Sequence, residues 1–429
     1  MTLIWTPFLF LVVALISGTA IAYLVGGSAV IGFIVSDNSQ FLAALPQRVF
    51  SQLDVFAFLA MPLFIFVGEL MNRGGIADAL IRFSLTILGR FKGGLGHVNI
   101  LTSVFFAGVS GSATADAAAL GNTLVPIMEK EGYPKEYAIA ITAASSIIGP
   151  IIPPSIILIF YGALMNTSVV ALFAAGIVPG LLLAVMLMIL NSFFAVKYDH
   201  PGGRGSDIPK FFPALSHALP ALSLPVIILS GILFGFMTPA EAAALAVVVA
   251  ALVGFMYREL NVTKVIAAAH RTIILTGAIF VILVAIATFG YLSSLEQIPQ
   301  LLASSITSMG LGATGYMLVL NLILIIAGMV MDVKAAVALL APLLVPPALL
   351  MGVDPTHMGI VVGFNLTVGL LTPPLGGVLL ILSTVTNFNY WSIVRAIIPF
   401  LVAELFFLGF LIFVPEISLA LPRALGYLG

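Results

Sequence analysis

The stretch Leu124 to Leu158, LVPIMEKEGYPKEYAIAITAASSIIGPIIPPSIIL, returns further along the chain as Leu344 to Val378, LVPPALLMGVDPTHMGIVVGFNLTVGLLTPPLGGV. Leu124, Val125, Pro126, Gly132, Gly149, Pro153 and Pro154 fall opposite Leu344, Val345, Pro346, Gly352, Gly369, Pro373 and Pro374, with a constant offset, 344 − 124 = 373 − 153 = 220. Each copy ends in an apolar segment broken by glycine and a proline pair. Broken hydrophobic segments at matching places in two halves point to a binding site at the interface of an internal repeat in a membrane protein.

Bulk composition agrees. Of 429 residues, 61% are hydrophobic and 8% charged, against roughly 25% charged in a soluble domain. Many stretches reach the about 20 apolar residues that span a bilayer as a helix, so the fold class is an all-α polytopic membrane protein. A net charge of −1 excludes a nucleic-acid binder acting through bulk charge. Without cysteine there is no disulfide, thiolate metal site or cysteine nucleophile, and five His residues without H-E-x-x-H argue against a zinc protease. The apolar N-terminus has no Lys or Arg before Ala20-Ile21-Ala22, unlike a signal peptide, and reads as a retained membrane segment.

Working outward, Trp5 to Val35 reads as one tilted helix or two, Asp37 to Asp54 as a polar connection and Val55 to Met71 as a span. Ile76 to Lys92 places apolar residues at helical spacing among Arg82, Arg90 and Lys92, the pattern of an interfacial helix. Leu95 to Met128 is interrupted at Gly108 to Asp116, with limbs short for spans. The first broken segment is Glu136 to Leu164. Spans follow at Val169 to Val196, Phe211 to Phe236 and Ala240 to Met256. Leu260 to Arg271 repeats the interfacial theme before a span at Thr272 to Leu292. A second pair of limbs, Gly315 to Leu350, breaks at Gly328 to Asp332. The second broken segment is Thr356 to Thr384, and Ile393 to Val414 is the last span.

Lys and Arg mark cytoplasmic loops. Arg73, Arg82, Arg90 and Lys92 precede the first interrupted pair and Lys130 and Lys135 follow it, so that pair enters and leaves on one side as a re-entrant hairpin. Lys197, Arg204, Lys210, Arg258, Lys264 and Arg271 mark further inner loops; Met165 to Ser168, Ser293 to Gly310 and Met351 to His357 carry no Lys or Arg. The second hairpin therefore enters from the opposite side. The crossings at Val55, Glu136, Val169, Phe211 and Ala240 are odd in number, which inverts the second half relative to the first, an arrangement that suits alternating access.

Unwound backbone at membrane depth survives only where it is buried in protein or lines a cavity. Carbonyls and hydroxyls there are hard oxygen ligands suited to Na+. The candidates are Ser110, Ser145, Ser146, Gly149 and Pro150 in the first half, with Gly328, Asn365, Thr367, Gly369 and Thr372 in the second. Ser112, Thr114, Asp116, Asp332 and Lys334 are the candidate substrate contacts, Lys334 and the helix N-termini at the hairpin tips facing an anion. The bland alternatives are hydroxyls bonding back within their helices, glycines serving packing, and Asp332 simply neutralising Lys334. Gly108-Val109-Ser110-Gly111 matches the G-x-S-G of intramembrane serine proteases, but no His is placed mid-membrane to act as base. A passive channel needs no opposed hairpins, and a proton-coupled carrier would lean on Asp116 or Asp332.

The motifs Ser110-Gly111-Ser112-Ala113-Thr114-Ala115-Asp116, Gly149-Pro150-Ile151-Ile152-Pro153-Pro154-Ser155, Thr238-Pro239-Ala240-Glu241-Ala242-Ala243-Ala244 and Leu371-Thr372-Pro373-Pro374-Leu375-Gly376 resemble the large membrane subunit of the tripartite ATP-independent periplasmic (TRAP) transporters over nearly the whole chain. The resemblance implies a fold similar to divalent anion–sodium symporters and a sodium-driven elevator in the bacterial inner membrane. It also implies two partners, a small four-helix membrane subunit and a periplasmic substrate-binding protein. The implied substrate is an organic acid, with sialic acid or another sugar acid ahead of a C4-dicarboxylate; no motif selects among them. Apart from Na+ no cofactor is expected, and the chain is not an enzyme. On this reading residues 1–75, 166–258 and 387–429 are scaffold and 76–92 is an interfacial arm. Residues 259–311 hold a second arm and a span, and 93–165 and 312–386 are the two transport halves.

Overall fold

The computed structural model describes residues 19–202, 208–301, 304, 310 and 312–428. The first helices are α1 (Ile21–Val35), α2 (Leu45–Leu53), α3 (Ala60–Arg73) and α4 (Ile76–Leu88). The first repeat holds α5 (Gly94–Ser110), α6 (Ala113–Lys130), α7 (Lys135–Ser146), α8 (Ile156–Met165) and α9 (Val169–Lys197). Then come α10 (Phe211–Leu233), α11 (Pro239–Met256) and α12 (Val262–Leu295). The second repeat holds α13 (Ala313–Val330), α14 (Val333–Leu350), α15 (Pro355–Gly369), α16 (Gly377–Thr386) and α17 (Tyr390–Phe413), and α18 (Glu416–Ala424) follows. Among the described residues, eight helices are long and apolar enough to cross a membrane. Their outer faces carry ridges of exposed Leu, Val, Ile and Phe, such as Leu181, Val185, Ile189 and Phe193 on α9, the composition of a lipid-facing surface.

The map drawn from sequence meets four differences. Asp37 to Asp54 is not a loop but a 3₁₀ turn (Ser39–Ala44) and α2. Leu260 to Arg271 is no separate arm: no proline or glycine lies between Val262 and Thr276, and the segment runs unbroken into the following span as 34-residue α12. The limbs of the second hairpin, at 18 residues each, are long and apolar enough to span. A further short helix, α18, follows the last span. The question of one or two helices between Trp5 and Val35 lies partly outside the described residues, as does Arg204; from Ile21 onward the segment is one helix through Gly26-Gly27.

The helices sort into two packed groups. One holds α1, α3, α4, α10, α11 and α12, with α12 against α1 and α3, and α11 against α3 and α10. The other holds both hairpins and both broken helices, together with α9 and α17. Sequence placed α9 and α17 with the scaffold; buried polar bonds tie α9 to the hairpin group instead. Asn191 Nδ2 donates to Gly93 O (3.1 Å) and Tyr137 Oη donates to Asn191 Oδ1 (2.7 Å). Gly96 and Gly176 let α9 close directly onto α5 and onto the first break, where a methyl group would strike Asn191 and the Ile151 carbonyl. Side-chain hydrogen bonds between the groups include that of Tyr427 to Leu233 O and, from the connection after α4, that of Lys92 Nζ to Asp199 Oδ1 (2.5 Å) after α9. The seam between the groups is otherwise apolar, with Phe58 on Phe160 (5.9 Å) and Phe83 on Phe105 (6.0 Å).

Candidate functional site

The first hairpin turns at Gly111, whose φ of +58° suits glycine. A Cβ there would lie 3.1 Å from Ile156 N and 3.2 Å from Ser155 Cα, so the same residue lets the tip rest on the first break. Ser112 caps α6, accepting from Ala115 N (3.4 Å). The break itself runs from Ile147 to Ser155, where the Ser155 hydroxyl donates to Pro150 O and accepts from Leu158 N (3.2 Å) to start α8. In the second half Met331 is extended and Asp332 caps α14, its Oδ1 accepting from Lys334 N (2.9 Å). Gly328 and Gly369 pack backbone to backbone: a Cβ on Gly369 would lie 2.6 Å from Gly328 Cα. In each half, then, a hairpin meets the glycine of a break, and both proline pairs, Pro153-Pro154 and Pro373-Pro374, are joined by cis bonds.

The two hairpin tips come together. A small open cavity is lined by Ser112, Ala113 and Thr114 from the first tip and by Asp332, Val333 and Lys334 from the second. Pro150 and Ile156 reach it from the first break and Leu370 from the second. The N-termini of α6, α8 and α14 all open onto it, and each such terminus presents free N–H groups and the positive end of a helix dipole. Lys334 Nζ lies 3.2 and 3.3 Å from the two oxygens of Asp332, so an anion entering here competes with Asp332 for the ammonium.

Of the proposed substrate contacts, Ser112, Thr114, Asp332 and Lys334 line this cavity. Asp116 does not: it is fully buried, with Oδ1 accepting from Ser110 Oγ (3.2 Å) and Oδ2 unpartnered. A Cβ on Gly149 would sit 3.3 Å from that free oxygen, so Asp116 belongs with Ser110 and the first break. Among the proposed ion ligands, Pro150 lines the cavity, while Ser145, Ser146, Asn365 and Thr367 are buried and do not. Ser146, Thr367 and Thr372 bond back to Ala143 O, Gly363 O and Val368 O (2.7, 2.6 and 3.0 Å).

Three residues missed in sequence surround Ser145. Its hydroxyl donates to Asn99 Oδ1 (2.9 Å) and accepts from Ser103 Oγ (3.0 Å), while Asn99 Nδ2 donates to Thr142 Oγ1 (2.6 Å). The second half repeats the pair more sparsely. Asn365, which stands 220 after Ser145, donates to Asn321 Oδ1 (2.6 Å) and Asn321 O (2.9 Å), and its own Oδ1 has no partner. Asn99 and Asn321 were legible as lone amides in apolar limbs. Thr238-Pro239-Ala240-Glu241, by contrast, lies away from the site. It is a capping box, with Glu241 N donating to Thr238 Oγ1 (3.3 Å) and Thr238 N to Glu241 Oε2 (2.8 Å).

A multi-pass helical protein whose internal repeat builds one cavity between two hairpins belongs to the class of membrane transporters. Its fold is similar to two solved ones. The YdaH transporter of Alcanivorax borkumensis superposes with a TM-score of 0.61 at 16% identity, covering 90% of each chain. MtrF of Neisseria gonorrhoeae superposes with 0.60 at 15% identity, covering 89% of this chain and 85% of that one. The family described as "Tripartite ATP-independent periplasmic transporter, DctM component" matches residues 8–417. The sialic acid TRAP transporter large permease protein SiaM of Vibrio cholerae is 36% identical over 92% of this chain and 93% of its own. The C4-dicarboxylate large permease DctM of Pseudomonas aeruginosa is 37% identical over 89% and 90%. The isethionate permease DctMQ of Oleidesulfovibrio alaskensis is 36% identical over 92% and 62%. The chain belongs to the DctM family of TRAP transporter large permeases. It is a transport subunit of the bacterial inner membrane and not an enzyme.

Proposed function

We propose that this chain carries out sodium-coupled uptake of an organic acid by an elevator movement of the hairpin group. Sialic acid or another sugar acid comes first as substrate and a C4-dicarboxylate next. The substrate is handed over by a periplasmic binding protein, and a small four-helix membrane subunit completes the transporter. The observation that carries this reading is the cavity where three helix N-termini and Lys334 meet, in a fold that holds a buried oxygen without a donor in each half. Helix N-termini favour carboxylate. Asp116 Oδ2 beside Gly149 and Asn365 Oδ1 beside Asn321 are hard acceptors in need of a positive partner, and they fit Na+ better than an anion. Hydroxyls that bond back to their own helices keep lone pairs for a cation. The re-entrant and inverted course of the hairpins, read from Lys and Arg placement, suits the same motion. So does an apolar seam beside a group that is cross-bonded internally.

The test is uptake into liposomes holding this chain with its small subunit, supplied with binding protein and a sodium gradient. Uptake should collapse when choline replaces sodium at constant pH. It should also be small when the binding protein is left out. Full uptake on a proton gradient alone would defeat the sodium reading, and equal uptake without the binding protein would mark a conventional carrier. Panels of sugar acids, C4-dicarboxylates and small sulfonates decide the substrate, because relatives named for all three stand at 36–37% identity.

A further inference from the structure

Glu404 lies near the middle of α17, fully buried, and neither carboxyl oxygen has a hydrogen-bond partner. Phe400, one turn earlier, packs on Tyr137 of α7 (6.0 Å) and Phe194 of α9 (5.6 Å). Phe407, one turn later, meets Phe364 of α15 edge-on at 5.5 Å. Residues three and four apart share a helix face, so Glu404 points into the hairpin group, while Val402, Phe406 and Phe413 are exposed on the other side.

No counter-charge reaches it. The helices packed on α17 are α7, α9, α13, α15 and α16. On α7, Lys135 pairs with Glu129, Glu136 is exposed and Tyr137 donates to Asn191. On α9, Lys197 is exposed against Phe193 and Tyr198. Tyr316 of α13 donates to Leu344 O, His357 of α15 bonds Ser418, and α16 has no titratable residue. On α17 itself Tyr390 donates to Pro374 O and Arg395 is exposed. An ionised carboxylate here would bear its full desolvation penalty with nothing to offset it.

We infer that Glu404 is a proton-binding site, its carboxyl holding one proton inside the hairpin group. Its neighbours all move with that group, so the proton stays bound while substrate is carried. Retention through transport rests on the moving-group reading above; occupancy itself does not.

The test is infrared spectroscopy of the purified two-subunit complex at neutral pH. Wild type should show the carbonyl stretch of a protonated, weakly bonded carboxylic acid that Glu404→Gln lacks, and sodium with substrate should leave it in place. Because the wild type is compared with the variant, any band from Asp116 cancels. Should Glu404→Gln fail to assemble, Glu404→Leu supplies the reference. A second readout is thermal stability. Exposed glutamates of an unfolded chain ionise above about 4.3, so a proton bound only in the folded protein makes stability fall as pH rises, by about tenfold in the folding equilibrium per pH unit. The neutral variants should lose that slope relative to wild type. No band separating wild type from the neutral variants would overturn the site, and a band that vanishes on adding sodium and substrate would overturn retention. Sodium-independent uptake with the band present would sink only the transport reading.

Discussion

The two halves share a plan and differ in chemistry. In the first, the hairpin aspartate, Asp116, is sealed beside Gly149, and Ser145 sits in a closed knot with Asn99, Ser103 and Thr142. In the second, the hairpin aspartate, Asp332, stands at the cavity with 47% of its side chain exposed and is engaged by Lys334, while Asn365 has one amide partner and a free oxygen. A duplicated backbone thus carries a sealed carboxylate at one hairpin and a solvated, paired one at the other. The carboxylates differ because burial raises the cost of a lost or added charge several-fold over an exposed pair.

The largest effect should fall on the sealed half. Asp116→Ala removes the one buried carboxylate at the first break, and the loss of about 2–3 kcal/mol of cation binding should raise the sodium concentration for half-maximal uptake by roughly 30-fold or more. An Asp116→Ala transporter with normal sodium dependence would break the contrast between the halves. Next comes Lys334→Met, which should raise the half-saturating substrate concentration by about tenfold, from the roughly 1.5 kcal/mol of a charge-assisted contact, without moving the sodium dependence. Asp332→Asn keeps a good helix cap and frees Lys334, so it should tighten anion binding, by up to about fivefold for an exposed pair worth at most ~1 kcal/mol. Substrate titrations of both variants sharpen the assignment; weaker binding in Asp332→Asn would show that the carboxylate itself serves the site.

Smaller still, Ser145→Ala opens the knot around Asn99 and should raise the half-saturating sodium concentration by about fivefold, for a hydrogen bond of roughly 1 kcal/mol. The smallest expected effect is one of pH. His200, in the loop after α9, is buried with Tyr133 and Tyr137 at 5.3 and 4.2 Å, its Nδ1 unpartnered, and burial lowers its pKa. The unfolded imidazole binds a proton first as pH falls, so the stability from this cage is full above about 6.5 and declines below it toward the lowered folded value. His200→Phe should flatten the acid side of a thermal-stability profile, and an unchanged profile would show that this buried imidazole does not set it.

Much of this was legible in sequence because it was written twice. The 220-residue offset located both breaks, and the interruptions at Gly108 to Asp116 and Gly328 to Asp332 bracketed the hairpin tips. What sequence could not give was depth. Asp116 and Asp332 look alike on the page, yet one is sealed and the other is solvated, a matter of tertiary packing rather than local pattern. Asn99, Ser103 and Thr142 matter only through their distance to Ser145 across a helix pair. The grouping of α9 with the hairpins was hidden too, since its apolar length reads like any span, and only the bonds of Asn191 and Tyr137 reveal its allegiance.

The unbroken course of α12 has a mechanical consequence. At 34 residues and 1.5 Å per residue the helix is about 51 Å long, against a hydrocarbon layer of about 30 Å. It must lean, or carry its basic inner end, with Lys264, His270 and Arg271, out through the headgroups. Packed on α1 and α3, it is a strut whose angle is set by the thickness of the bilayer. A thinner or thicker membrane would change that angle, and with it the height of the frame packed against the hairpin group.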